Sequence, residues 1–157
     1  MSFREAIAST SGLEEAYKVG LQALRAEDKP HIDAADTRCL TGSADIDSSY
    51  RSIEPHANRW DFAIAYKHTN RAADCIYWVE LHTANDSEVK VVIRKAGWLR
   101  NWLKNAGKPL ANFECDIVWL SSGATSFTLA SPQMKQMAQV GLQHKGSVLH
   151  IPKKRNK

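Results

Sequence analysis

Two apolar runs, WDFAIAY at 60–66 and CIYWVELH at 75–82, carry one acid each. Asp61 stands near the front of the first and Glu80 near the end of the second. An antiparallel hairpin around KHTNRAAD, with Lys67 opposite Asp74, puts Asp61 directly across from Glu80. Opposed residues of such a pair share a face, with Cβ atoms roughly 4.5–5.5 Å apart. Two carboxylates held that close repel unless a proton or a cation lies between them. Pairing of 40–47 with 59–66 adds Asp45 and Asp47 beside Asp61, and the two-residue period of a strand puts His82 on Glu80's face. Oxygen donors of this kind suit Mg²⁺ or Mn²⁺ with several waters retained. An ion there activates water and offsets the charge that grows on a phosphate during hydrolysis. Local roles stay open beside this one. Asp61 could cap a strand entrance or pair with Arg59, Glu80 could face solvent or pair with Lys95, and Asp45 could serve a turn. Trp78, Val79 and Leu81 mark an interior strand, where an unpaired acid is expensive, and this favours a shared site.

The elements that must position these groups follow from periodicity. SGLEEAYKVGLQALR, 11–25, reads as an amphipathic helix with a Ser11–Glu14 capping box, and Glu14 borders its apolar face. Residues 26–39 read as a polar connector, 40–47 as a strand and 48–58 as a loop. The two acid-bearing runs read as strands, rich in β-branched and aromatic residues. DSEVKVVIRKAGWLRNWLKN, 86–105, predicts a helix with Val89, Val92, Ile93, Ala96, Leu99 and Leu103 inward. Strands are expected at 113–122, 125–130 and 147–152, and a short helix at 132–142. The order implies a three-layer α/β sandwich, a mixed central sheet with helices on both faces.

The 157 residues, 43% hydrophobic and 24% charged, suit one domain over 1–152, followed by a loose basic tail at 153–157. No apolar stretch approaches the roughly 20 residues of a bilayer span, so no membrane partner is expected. MSFREAIAST lacks a hydrophobic signal core, which points to the cytoplasm. Cys39, Cys75 and Cys115 read as reduced thiols. With His56 and His82 they show no structural zinc spacing. There is neither a G-x-S-x-G elbow nor a phosphate-cradling glycine loop. Net charge is +4, which permits a polyanionic partner without requiring one. The positive charge gathers on the 86–105 helix. There Lys90, Arg94, Arg100 and Lys104 could contact phosphates, and Trp98 and Trp102 could stack on bases. The same tryptophans, spaced i and i+4, could instead pack under another element or form a dimer face.

The order of helix, three-stranded meander, helix and strand, with WDF and ELH in place, resembles the core of the PD-(D/E)xK nuclease superfamily over residues 11 to 122. The resemblance implies a restriction-endonuclease-like fold and metal-dependent cleavage of DNA, ahead of RNA. It implies a metal held by Asp61 and Glu80, with Asp45 or Asp47 assisting and Glu14 added from the first helix. The family's Glu-x-Lys departs here to Glu80-Leu81-His82, so the lysine's role passes to His82 or to Lys95 on the following helix. A catalytically silent relative that binds nucleic acid or a protein, and a homodimer built on Trp98 and Trp102, are the alternatives.

Overall fold

The computed structural model describes residues 1–123 and 131–156. Five strands form the main sheet in the order β2 (Leu40–Asp45), β3 (Phe62–Tyr66), β4 (Cys75–His82), β5 (Glu114–Ser121) and β6 (Leu142–His144). The first three run antiparallel, and β4, β5 and β6 are parallel. The parallel pairs need crossovers, supplied by α3 (Val89–Lys104) and α4 (Ser131–Gln139). A separate parallel pair, β1 (Ile32–Ala34) with β7 (Leu149–Ile151), lies apart from the main sheet. The strand expected at 125–130 lies outside the described residues.

The α/β class, the mixed sheet and the three layers agree with the sequence reading, but helices on both faces do not. Side chains of β3, β4 and β5 alternate between two cores. Ala63, Trp78 and Trp119 enter one of them, with the buried residues of α1 (Phe3–Ala8), α2 (Ile46–Tyr50), α3 and α4. Phe62, Val79 and Val118 enter the other, covered by Leu24, Ile32, Leu149 and Ile151. The second face is therefore roofed by the β1–β7 pair and a turn segment.

That division also explains why 11–25 is not a helix. Leu13 belongs to the helix-side core and Leu24 to the opposite one. A single helical face cannot feed two cores on opposite sides of a sheet. The chain instead wraps the open edge of β2, pairing Lys18 with Ser43 and turning at Gly12, whose φ is +91°. A Cβ at Gly12 would stand 2.8 Å from the Tyr50 ring, so glycine serves both the turn and the contact. The capping box belongs to α1. Ser2 Oγ accepts from the Glu5 N–H, and Glu5 Oε1 accepts from the Ser2 N–H. The loop expected at 48–58 begins inside α2, which Asp45 caps.

The basic end is docked rather than loose. Arg155 is buried and forms two hydrogen bonds to Asp116, at 3.0 and 3.1 Å, with its Nε 3.0 Å from Glu114. The Arg155 N–H also donates to the Asn70 side chain. A guanidinium between two carboxylates holds more firmly than tail charge alone suggests, because its donors are fixed in a planar fork.

Candidate functional site

The hairpin register is the one read from the sequence. Phe62 pairs with Val79 and Tyr66 with Cys75, so Asp61, just ahead of β3, stands across from Glu80. Both acids lie on the sheet face covered by α3, the face of Ala63 and Trp78. Their contacts interlock. The Asp61 N–H donates to Glu80 Oε1 at 3.2 Å, and the Leu81 N–H donates to Asp61 Oδ2 at 3.0 Å. Lys95 projects from α3 and donates to Glu80 Oε2 at 2.6 Å. Glu80 is fully buried, whereas the Lys95 side chain keeps 18% exposure.

One lysine does not offset this much negative charge. Burial raises the Asp61 pKa to about 6, opposed by the Lys95 ammonium and the Leu81 N–H; the charges of Asp47 and Asp45 raise it further. Glu80 is pushed well up, first by burial and then by Asp61, with Lys95 opposing. Burial works against the charge on Lys95, but the two carboxylates prevail and raise its pKa. Burial and neighbouring carboxylates thus favour the protonated form of each acid, against the pull of Lys95.

His82 borders the pair. Its Nδ1 is 3.7 Å from Glu80 Oε2, and its Nε2 is 3.6 Å from Glu88 Oε2. Sequence reasoning missed Glu88, which lies in a single turn of 3₁₀ helix, Asp86–Glu88, ahead of α3, where no local spacing marks it. The Trp119 indole fixes the end of β4 by donating to the His82 carbonyl at 3.1 Å.

The other expected metal ligands are engaged elsewhere. Asp45 caps α2, with Oδ1 2.9 Å from the Ser48 N–H and Oδ2 2.8 Å from Ser48 Oγ. Asp47 is held by Arg59 at 2.9 Å and Arg51 at 3.2 Å. Both act on Asp61 through their charge. Glu14 is a correction: it is exposed, and its carboxylate accepts from the Gly12 N–H at 2.9 Å, because no helix carries it to the sheet. Among the described residues no group of three or more histidines, cysteines and acids is placed to hold a metal. Of the expected ligands, Asp61 and Glu80 are the two whose contacts interlock.

The tryptophans are also corrected. Trp102 is 3% exposed and lies edge-on to Trp78 and Tyr50. Trp98 stacks on Trp102 with ring centres 5.8 Å apart and donates to Glu54. Trp102 closes the helix-side core, and Trp98 packs against it half-buried. Arg100 is turned to the end of α4, its Nε donating to the Val140 carbonyl at 3.0 Å. Lys90, Arg94 and Lys104 are exposed, as expected. Two clefts, of about 460 and 430 Å³, open elsewhere. One is lined by Tyr77, Asp116 and Leu149, the other by Asp74, Pro109 and Phe113.

No helix among the described residues is long and apolar enough to cross a membrane. No protein-family model matches the chain at a significant level, and neither does any curated protein or solved structure.

Proposed function

We propose that the chain is a metal-dependent nuclease that hydrolyses phosphodiester bonds in DNA, with Asp61, Glu80 and Lys95 at its centre. The observation that carries this reading is the contact of Lys95 with a fully buried Glu80 that also accepts from the Asp61 N–H. The element order α1, β1, β2, α2, β3, β4, α3, β5 supports it through the antiparallel strands β2, β3 and β4 followed by α3 and β5. The acids stand before the second strand and on the third, as in the PD-(D/E)xK nucleases, and the lysine comes from the next helix. Asp61 and Glu80 would hold Mg²⁺ or Mn²⁺, which supplies an activated water and charge neutralisation at the phosphate. Lys95 then faces the same space with a positive charge for the developing oxyanion. His82, between Glu80 and Glu88, is the imidazole beside the pair and the candidate for proton transfer.

A second reading is a silent relative that binds nucleic acid or a protein without cutting. It is favoured by one observation, the complete removal of Glu80 from solvent beneath Lys95. Plasmid nicking separates the two. The nuclease reading expects cleavage with Mg²⁺ or Mn²⁺, none in EDTA, and none in Asp61→Asn or Glu80→Gln. Lys95→Met should lose about 100-fold or more, the scale of one lost oxyanion donor. Nicking that survives all three substitutions would refute the assignment. DNA binding without cleavage would leave the second reading.

A further inference from the structure

α3 carries a stripe of cationic, small and amide residues on its outer side. Lys90, Arg94, Gly97, Asn101 and Lys104 fall within one narrow stripe at 100° per residue, opposite the buried Val92, Ala96 and Leu99. Between Val89 and Pro109 the sequence has no acid. Lys90, Arg94 and Lys104 take part in no ion pair among the described residues. Arginines elsewhere are engaged: Arg25 with Asp28, Arg59 with Asp47, Arg155 with Asp116.

Each choice along this stripe works against the isolated helix. Lys90, in the first turn, opposes the helix dipole. Lys90 and Arg94 are like charges at i and i+4. Gly97 sits mid-helix at a cost in stability, although a Cβ there would meet nothing within 4 Å. Three unfavourable choices on one face, with no ion pair among the described residues to offset its charges, point to a partner outside the molecule. The cations call for a row of negative charge, and the bare Gly97 allows that row to approach the helix backbone closely.

We infer that this stripe is a docking track for the phosphate backbone of double-stranded DNA. From Lys90 to Lys104 the helix rises about 21 Å. That length covers about six base pairs along the duplex axis, where each strand carries one phosphate per roughly 3.4 Å. A single strand is the poorer fit, because single-strand surfaces depend on aromatic stacking and the stripe itself carries no aromatic residue. The choice of partner rests on the phosphodiester reading above, but the binding itself requires neither metal nor cleavage.

The test is fluorescence anisotropy of a labelled 20-base-pair duplex in EDTA over a KCl series. The combined variant Lys90→Ala, Arg94→Ala, Lys104→Ala should bind at least 10-fold more weakly at 100 mM salt. Its log–log salt slope should be shallower by about 3, near 0.9 for each lost phosphate contact. Gly97→Ala alone should bind more weakly while melting at an equal or higher temperature. Unchanged affinity and slope in the triple variant would overturn the inference, as would tighter binding to a single strand or to anionic phosphatidylserine vesicles than to the duplex. Salt-sensitive, stripe-dependent binding without cleavage in Mg²⁺ upholds this inference and removes the nuclease reading. Cleavage by a triple variant of unchanged affinity does the opposite.

Discussion

Asp61 and Glu80 are the costly residues of this fold, and their cost depends on pH. The folded state raises the Asp61 pKa from an ordinary 3.8 to about 6. The folded chain therefore keeps a proton that the unfolded chain gives up. The associated stability is complete below about pH 4 and is lost as pH rises through about 6. Asp61→Asn removes the ionisation while an amide oxygen can still accept from the Leu81 N–H. The variant should melt higher than the parent at pH 8, by up to about 3 kcal/mol in stability, and the gap should close by pH 4. A thermal-melt series across pH measures it; a parent whose stability rises between pH 4 and 7 more than the variant's would contradict the sign. The juxtaposition behind this effect was legible, because a two-residue period and a short turn fix which residues oppose one another. The direct Lys95–Glu80 contact was one of the local roles left open. Nothing local marked Glu88, or the turning of Asp47 toward Arg59, since those contacts are set by how loops return to the sheet; the Asp47–Arg51 pair, at i and i+4, is local.

At the scale of elements, the long periodic segments were readable and the short or edge-wrapping ones were not. CIYWVELH forms β4 with the expected bounds, and 86–105 contains α3. Their apolar residues all serve one side, or alternate cleanly between two. The segment 11–25 has helical spacing but feeds both cores, so its pattern misleads. β1 and β6 are three residues each, too short to show a period. The tryptophan pair of α3 was legible only as a choice between surface and core, and packing decides it. Gly107, just past α3, tests that packing. A Cβ there would stand 2.6 Å from the Trp102 ring, and an indole wedged against Trp98, Trp78 and Tyr50 has little room to shift. Gly107→Ala should destabilise by about 1–3 kcal/mol in chemical denaturation, with tryptophan fluorescence altered. A variant as stable as the parent would show that the cluster is loose.

Across the whole molecule, the chain closes on itself through its last strand. β7 pairs with β1 to roof the second core, and Arg155 fastens the segment after it to Asp116 and Glu114 on β5. Composition made 153–157 look like a solvated tail, because a run of basic residues says nothing about which acids await it. Arg155→Met should cost about 1–3 kcal/mol, since the partly buried Asp116 loses its partner while the exposed Glu114 keeps Arg71. The loss should be local at first: the amides of Ala35 and Thr69, bonded to the Ile151 and Lys153 carbonyls, should exchange faster than those of β4. Equal protection at both places would mean the fastening is incidental. The helix-side core should hold in that variant, leaving Asp61 and Glu80 in place to be probed separately.

On the proposed reading, Asp61 and Glu80 take up a divalent cation and give up a proton in exchange. Calorimetric titration of Mn²⁺ at pH 6, repeated in two buffers of different ionisation enthalpy, tests it most directly. Because metal ligands must be deprotonated, binding should be saturable and should release close to one proton per ion. Both the heat and the proton release should vanish in Glu80→Gln. No saturable heat, or binding unchanged in Glu80→Gln, would show that Lys95 alone completes a structural ion pair and that the acids are not a metal site.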